Sequence, residues 1–277
     1  MTISPQQQKR AATFQAMHTQ KELFILPNIW NAGGARAVEK SGFNALATTS
    51  AGIAFANGYP DGESFPFEQL IASVQQITSR ITIPLSVDFE RGYSENPQKI
   101  QENTRQLLYA GAVGLNLEDG LPDKKISESH SMQEKLAALT PLKKELNLDF
   151  LINARIDTYW NQIGTPSSRL AETITRANHY ISWGADCVFV PGNIPLNELE
   201  VLLKEVEKPI NILLNNELKN IPNLQKIGVK RVSLGSALSR NSIHNFFHQM
   251  KEIKAGHFDS LLDDSLPYES VNQFFID

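Results

Sequence analysis

Short apolar runs rich in Val, Ile, Leu and Phe alternate along the chain with polar or glycine-containing turns and with stretches whose apolar residues recur at helical spacing. Eight such runs are found: Leu23–Trp30, Ala45–Thr49, Ile83–Asp88, Gly114–Glu118, Phe150–Asn153, Cys187–Val190, Pro209–Leu214 and Arg231–Leu234. Helical patterns separate them at Ala35–Lys40, Phe67–Ser79, Pro97–Tyr109, Ser131–Glu145, Ser167–Trp183, Leu196–Val206 and Pro222–Lys226. An amphipathic segment, Gln6–Thr19, precedes the first run. After the last come a helix over Ile243–Lys254, an irregular stretch and Tyr268–Phe275, whose aromatics Phe274 and Phe275 would suit packing against another subunit.

Strands that alternate with helices imply a parallel sheet. Eight of them in 277 residues fit a closed (β/α)8 TIM barrel of the α/β class better than an open sheet. No Gly-x-Gly-x-x-Gly turn follows the first run, which weakens the dinucleotide-binding alternative. No low-complexity linker divides the chain. The expectation is one domain over 1–277, with an N-terminal helix (1–21), the barrel (22–240) and a C-terminal helical segment (241–277).

Composition narrows the partners. A net charge of −4 without a basic block argues against nucleic acid and against an anionic membrane surface, which favours a small-molecule partner. Cys187 is the single cysteine, so neither an intrachain disulfide nor a cysteine metal cluster is available. Met1–Arg10 is polar and lacks the apolar core of a signal peptide, and no apolar run approaches the length of a membrane span. Cytoplasmic residence is the corresponding expectation.

Hydrophobic burial does not select carboxylates, yet the third and fourth runs both end in them. Asp88 and Glu90 stand two apart and share a face, Glu118 and Asp119 end the fourth run, and Arg155 and Asp157 follow the fifth. In a barrel these are the strand ends where sites are built. Several carboxylates and an arginine at one rim suit Mg2+ held largely through waters, with the arginine clamping an anionic substrate; the alternative is a structural ring of ion pairs. Thr48–Gly52 is a small-residue turn whose N–H groups could cradle a carboxylate or oxyanion, or an ordinary strand-to-helix turn. His244 and His248 have zinc-like spacing but lack the glutamate of a metalloprotease and read as surface residues of a helix, and His130 reads as an exposed helix-entry residue. No Gly-x-Ser-x-Gly elbow accompanies Ser50, which disfavours a serine hydrolase.

Trp30-Asn31-Ala32, Ser50-Ala51-Gly52, Gly58-Tyr59-Pro60-Asp61, Asp88-x-Glu90-x-Gly92-Tyr93, Ala110-Gly111-Ala112-x-Gly114, Glu118-Asp119 and Asn153-Ala154-Arg155-x-Asp157 fall in sequence order. As an ordered set, covering about Leu23 to Val190, they resemble the isocitrate lyase / phosphoenolpyruvate mutase superfamily. The resemblance implies a (β/α)8 barrel, a homodimer or homotetramer with the last helix exchanged between neighbours, and an Mg2+ site, with Mn2+ as the alternative ion, that binds an α-keto acid or its enolate. Carried over by position, Asp88 is the metal-side carboxylate and Asp61, Glu90 and Glu118 hold metal-bound waters. Ser50, Ala51 and Gly52 receive the substrate carboxylate and oxyanion, Arg155 neutralises the same oxygens, and Trp30 walls the pocket.

Departures from the family pattern narrow the reaction. Family lyases place a cysteine proton donor in a mobile loop after the fourth strand, where this chain has Lys124-Lys125-Ile126-Ser127-Glu128. Ile126 cannot donate a proton, and Cys187 lies within an apolar run where a small buried hydrophobe is the expected role. Ile126 also replaces the asparagine of the phosphonate mutases, Val190-Pro191-Gly192 stands where members often carry Glu or His, and Glu90 replaces an aspartate. The expected activity is C–C cleavage or decarboxylation of a small α-keto acid through an enolate, with an oxaloacetate-like substrate. Arg155, Glu118 and Lys124 are the candidate catalytic residues, although Lys124 also fits a solvated charged loop. The alternatives are C–P mutase or hydrolase chemistry on phosphonopyruvate-like substrates and a catalytically silent keto-acid-binding barrel.

Overall fold

The computed structural model describes residues 2–263 and 265–276. Its strands in chain order are β1 (Phe24–Leu26), β2 (Asn28–Ile29), β3 (Leu46–Thr48), β4 (Leu85–Asp88), β5 (Gly114–Glu118), the short β6 (Gly120–Leu121) and β7 (Lys125–Ile126), then β8 (Leu151–Arg155), β9 (Cys187–Val190), β10 (Ile210–Leu213) and β11 (Arg231–Ser233). Nine form one parallel sheet in the order β1-β11-β10-β9-β8-β5-β4-β3-β2, while β6 and β7 make a separate antiparallel hairpin. Pro27 parts β1 from β2, so one length of chain pairs with β11 on one side and with β3 on the other. The sheet therefore curls back on itself, and all eight apolar runs supply its staves.

The helices are α1 (Pro5–Thr19), α2 (Ala32–Lys40), α3 (Ser50–Ala56), α4 (Phe67–Thr78), α5 (Pro97–Tyr109), α6 (Ser129–Glu145), α7 (Pro166–Ser182), α8 (Leu196–Glu205), α9 (Ile221–Ile227), α10 (Ala237–Lys254), α11 (Asp259–Asp263) and α12 (Tyr268–Gln273). Local chemistry sets several of their starts. Asn31 and Asn96 cap α2 and α5 by accepting first-turn N–H bonds, and Thr165 with Ser168 forms a capping box ahead of Pro166. The sequence pattern missed α3, α11 and the β6–β7 hairpin and began α2 and α10 late. No helix among the described residues is long and apolar enough to cross a membrane.

Followed round the ring, the pairing registers stack inward-facing residues in layers drawn from alternate strands. Near the amino-terminal end one layer holds Gly114, Cys187 and Arg231. The next holds Leu26, Ser86, Asn153 and Asn211; above it lie Asn116, Phe189 and Ser233, and then Asn28, Asp88 and Arg155. Barrel interiors are ordinarily filled by Val, Ile and Leu, so this run of Asn, Ser and Arg is a polar column leading to the mouth. Phe14 of α1 plugs the opposite end. A methyl group on Gly114 would stand 2.9 Å from the Phe14 ring, which explains glycine there.

Candidate active site

The carboxyl ends of the strands surround an open cavity of about 1040 Å³. Ser50, Ala51, Asp61, Asp88, Glu90, Glu118 and Arg155 all line it, together with Asp157, Asn116 and Trp160. The geometry thus gathers most of the residues expected from the sequence. Asp88 ends β4 and is held by α3: its Oδ2 accepts from the Ser50 N–H at 3.1 Å and from Ser50 Oγ at 3.0 Å. The Asn116 amide donates to its Oδ1 at 3.5 Å, and Asn153 donates to Asn116 at 2.6 Å, so the polar column ends on this carboxylate.

Glu90 is buried, with backbone φ of 52°, a left-handed conformation that residues other than glycine rarely adopt. Its carboxylate accepts from the Glu63 N–H at 2.7 Å and from the Tyr93 hydroxyl at 3.3 Å. Burial, then the charges of Asp88, Asp61 and Glu63, push its pKa up to about 8. Asp61, at the open edge, is raised by desolvation and by Asp88. Glu118 is raised by burial despite Arg155. Burial and mutual repulsion thus raise three carboxylates around one cavity, an arrangement that a positive charge among them would relieve.

Arg155 is gripped by two acids. Its Nε and Nη2 form a fork on Asp157 at 2.6 and 3.1 Å, and Nη1 lies 2.7 Å from Glu118 Oε2. Trp160 and Phe189 flank the guanidinium at 5.7 and 5.9 Å. Two of its five N–H groups are taken by the Asp157 fork, and the Glu118 contact is an ion pair.

Three expected residues stand off the lining. Gly52 donates its N–H to Thr49 Oγ1 as the cap of α3, and a methyl group there would meet Thr49 at 2.5 Å and Trp30 at 3.1 Å, so it serves close packing. Trp30 packs half-buried against the core behind that turn. Lys124 is exposed on the β6–β7 connection with φ of 57°. Asp119 also turns away, because neighbours along a strand end face opposite sides. Fully buried and raised to about 6, chiefly by burial, it accepts from Arg176 at 3.1 Å, the Tyr180 hydroxyl at 2.8 Å and the Asp157 N–H at 2.9 Å. Cys187 is buried and its thiol is pushed up to about 12 by burial, so it is no thiolate donor. His130, His244 and His248 are exposed.

Sequence reading missed Glu63. It accepts from the Arg91 and Tyr93 N–H groups at 3.0 and 2.7 Å and from the Arg91 guanidinium at 2.6 Å, pinning the 61–63 loop over Glu90. Nothing in its local sequence separates it from other loop glutamates. Lys219 and Arg240 were also missed; they line the cavity on the side of β10 and β11, and neither forms an ion pair among the described residues.

A family model described as phosphoenolpyruvate phosphomutase matches residues 14–254. The uncharacterized protein Rv1998c of Mycobacterium tuberculosis is 33% identical over 265 residues, 96% of each chain. The 2-methylisocitrate lyase of Escherichia coli is 25% identical over 206 residues, 71% of this chain and 67% of that protein. Among solved structures, a lyase/mutase-class protein from Burkholderia cenocepacia superposes with a TM-score of 0.91 at 32% identity, covering 99% of this chain and 98% of that one.

Proposed function

Because the chain belongs to the phosphoenolpyruvate phosphomutase family, whose relatives include lyases and mutases, we propose that it is an Mg2+-dependent enzyme that breaks a C–C bond of a small α-keto acid, with an oxaloacetate-like dicarboxylate as substrate. The observation that carries this reading is the gathering of Asp61, Asp88, Glu90 and the ion-paired Glu118 and Arg155 around one cavity.

The residues present fit Mg2+. Among the described residues no three Asp, Glu, His or Cys side chains converge closely enough to ligate one ion directly. Mg2+ ordinarily takes one or two carboxylates and keeps several waters, which suits Asp88 as the direct ligand with Asp61, Glu90 and Glu118 acting through water. Mn2+ suits the same oxygen donors. When bound, the ion would polarise the keto oxygen and stabilise charge developing on it.

The chain supplies the rest. The N–H groups of Arg155 outside the Asp157 fork bind the substrate carboxylate in the guanidinium plane. Ser50 Oγ, by donating to Asp88, fixes the direction in which that carboxylate presents its oxygens. Lys219 and Arg240 on the opposite wall match a second anionic group, which favours a dicarboxylate over pyruvate alone. Loss of CO2 requires no proton donor at the leaving group, consistent with Ile126 at the loop position where lyases carry cysteine. The exposed Lys124 reaches the reaction only if the β6–β7 hairpin moves. We place the protein as a homodimer or homotetramer through its C-terminal segment, as the exposed apolar side chains there suggest.

Titration calorimetry with oxalate, a planar mimic of the pyruvate enolate, tests the reading. Oxalate binds in the presence of Mg2+ and not after chelation; absence of binding in both conditions overturns it. Phosphonopyruvate turnover followed by phosphorus NMR would instead assign C–P chemistry.

A further inference from the structure

Arg231, the first residue of β11, is fully buried inside the barrel. Its Nε, Nη1 and Nη2 have no hydrogen-bond partner, and no acid pairs with it among the described residues. The other deeply placed arginines differ: Arg155 and Arg176 are each held by carboxylates. Polar atoms in the layer directly above also lack partners, namely Ser86 Oγ, Asn153 Oδ1 and Asn211 Nδ2. Above them Asn153 donates to Asn116 and Asn116 to Asp88.

An unpaired buried charge costs several kcal/mol, and an apolar residue of similar size commonly fits such a position as well or better. Guanidinium also keeps its proton: burial lowers Arg231 only to about 10, with Cys187 and Asp88 pulling the other way. The Phe14 ring, 5.9 Å from the guanidinium, gives only a weak cation–π contact. Among the described residues no carboxylate or hydrogen-bond acceptor offsets that cost, which leaves the charge free to act at a distance. By strand register it lies in a layer below that of Asp88, whose charge acts on it, in a low-dielectric interior where a unit charge is felt over many ångströms.

We propose that Arg231 is a buried electrostatic positioning residue. It places positive potential under the floor of the site, which favours an anionic ligand and opposes over-tight cation binding, and it orients Asn153 and Asn116 toward Asp88. This rests on the reading of the mouth as a metal and keto-acid site. It touches neither ligand, so its signature is a pair of effects with opposite signs.

Calorimetry on Arg231→Met, Arg231→Lys and the unaltered protein separates the outcomes. For Arg231→Met we expect Mn2+ alone to bind about three- to tenfold more tightly and oxalate, at saturating Mn2+, to bind about three- to tenfold more weakly. Its melting temperature should equal or exceed that of the unaltered protein. Arg231→Lys, which keeps the charge, should leave both affinities within about twofold. If both affinities of the Met variant fall together, or neither moves while the unaltered protein binds both ligands, Arg231 is structural and the inference fails. If the unaltered protein binds neither Mn2+ nor oxalate, the reading of the site fails first and takes the inference with it. Should Arg231→Met not fold, Arg231→Gln carries the same charge test.

Discussion

Glu90 sits in a left-handed backbone conformation, buried, with three acids around it. Its folded pKa of about 8 lies above the value near 4.5 of an exposed glutamate. The folded protein therefore holds a proton that the unfolded chain releases between those values, and the slope of stability with pH is negative there. In metal-free protein this contribution to stability should fade as pH rises from about 5 to 8, so the melting temperature of Glu90→Gln should gain on that of the unaltered protein by several degrees over that range. A profile identical in the variant would show that Glu90 is ionised throughout. Asp88→Ala should abolish turnover while circular dichroism and thermal melting remain those of a folded barrel, since Asp88 sits at the mouth and outside the apolar core. Arg155→Lys keeps the charge but loses the fork on Asp157, so kcat/KM should fall by about 10- to 100-fold. At this scale the sequence was informative where chemistry conflicted with burial, as at Asp88, Glu90, Glu118 and Arg155. It was silent where a polar residue was hidden inside an apolar run: Asn116 and Arg231 read as ordinary strand positions until the sheet closed round them.

The β6–β7 hairpin overhangs the cavity through Gly120, Leu121 and Pro122. Its base is tied where the Ser127 N–H donates to the Asp119 carbonyl at 2.8 Å and Arg176 donates to the Ser127 carbonyl at 2.9 Å. Among the described residues its far side is held by a bond from the Asn161 amide to the Lys125 carbonyl at 2.8 Å. Asn161→Ala should loosen the hairpin without disturbing the buried Asp119 knot. Tryptic cleavage after Lys124 or Lys125 should then quicken several-fold, with a higher KM and an unchanged melting temperature; an unaltered cleavage rate would show that the base alone holds it. Gly120 is constrained differently, because a methyl group there would stand 2.1 Å from Asp157 Oδ2 and displace the partner of Arg155. Strands were legible because each is a compact apolar run. The hairpin and α3 were not, since two-residue strands have no period, and Ser50-Ala51-Gly52 reads as a turn until Thr49 caps it.

Across the whole molecule, apolar exposure concentrates in the final segment, where Phe246 and Phe247 of α10 are 60% and 63% exposed and Leu262, Leu266 and Tyr268 more so. A patch of this kind is costly on a monomer. Sedimentation should therefore show a dimer or tetramer that Phe247→Asp weakens; a monomer at micromolar concentration would refute the assembly. Sequence could suggest the exposed aromatics but not their company, because only closure of the barrel decides which apolar residues remain outside. That closure joins distant parts of the chain: Phe24 lies opposite Arg231 in the seam, and the Phe24 N–H donates to the Lys230 carbonyl at 3.0 Å. During synthesis the first stave emerges from the ribosome some two hundred residues before its neighbour exists. Until β11 arrives, β1 and β10 are bare sheet edges with apolar faces, open to pairing with any other strand. The seam between β1 and β11 is thus also a clock, and a nascent chain must be shielded until the eighth stave has emerged before the site at the mouth can exist at all.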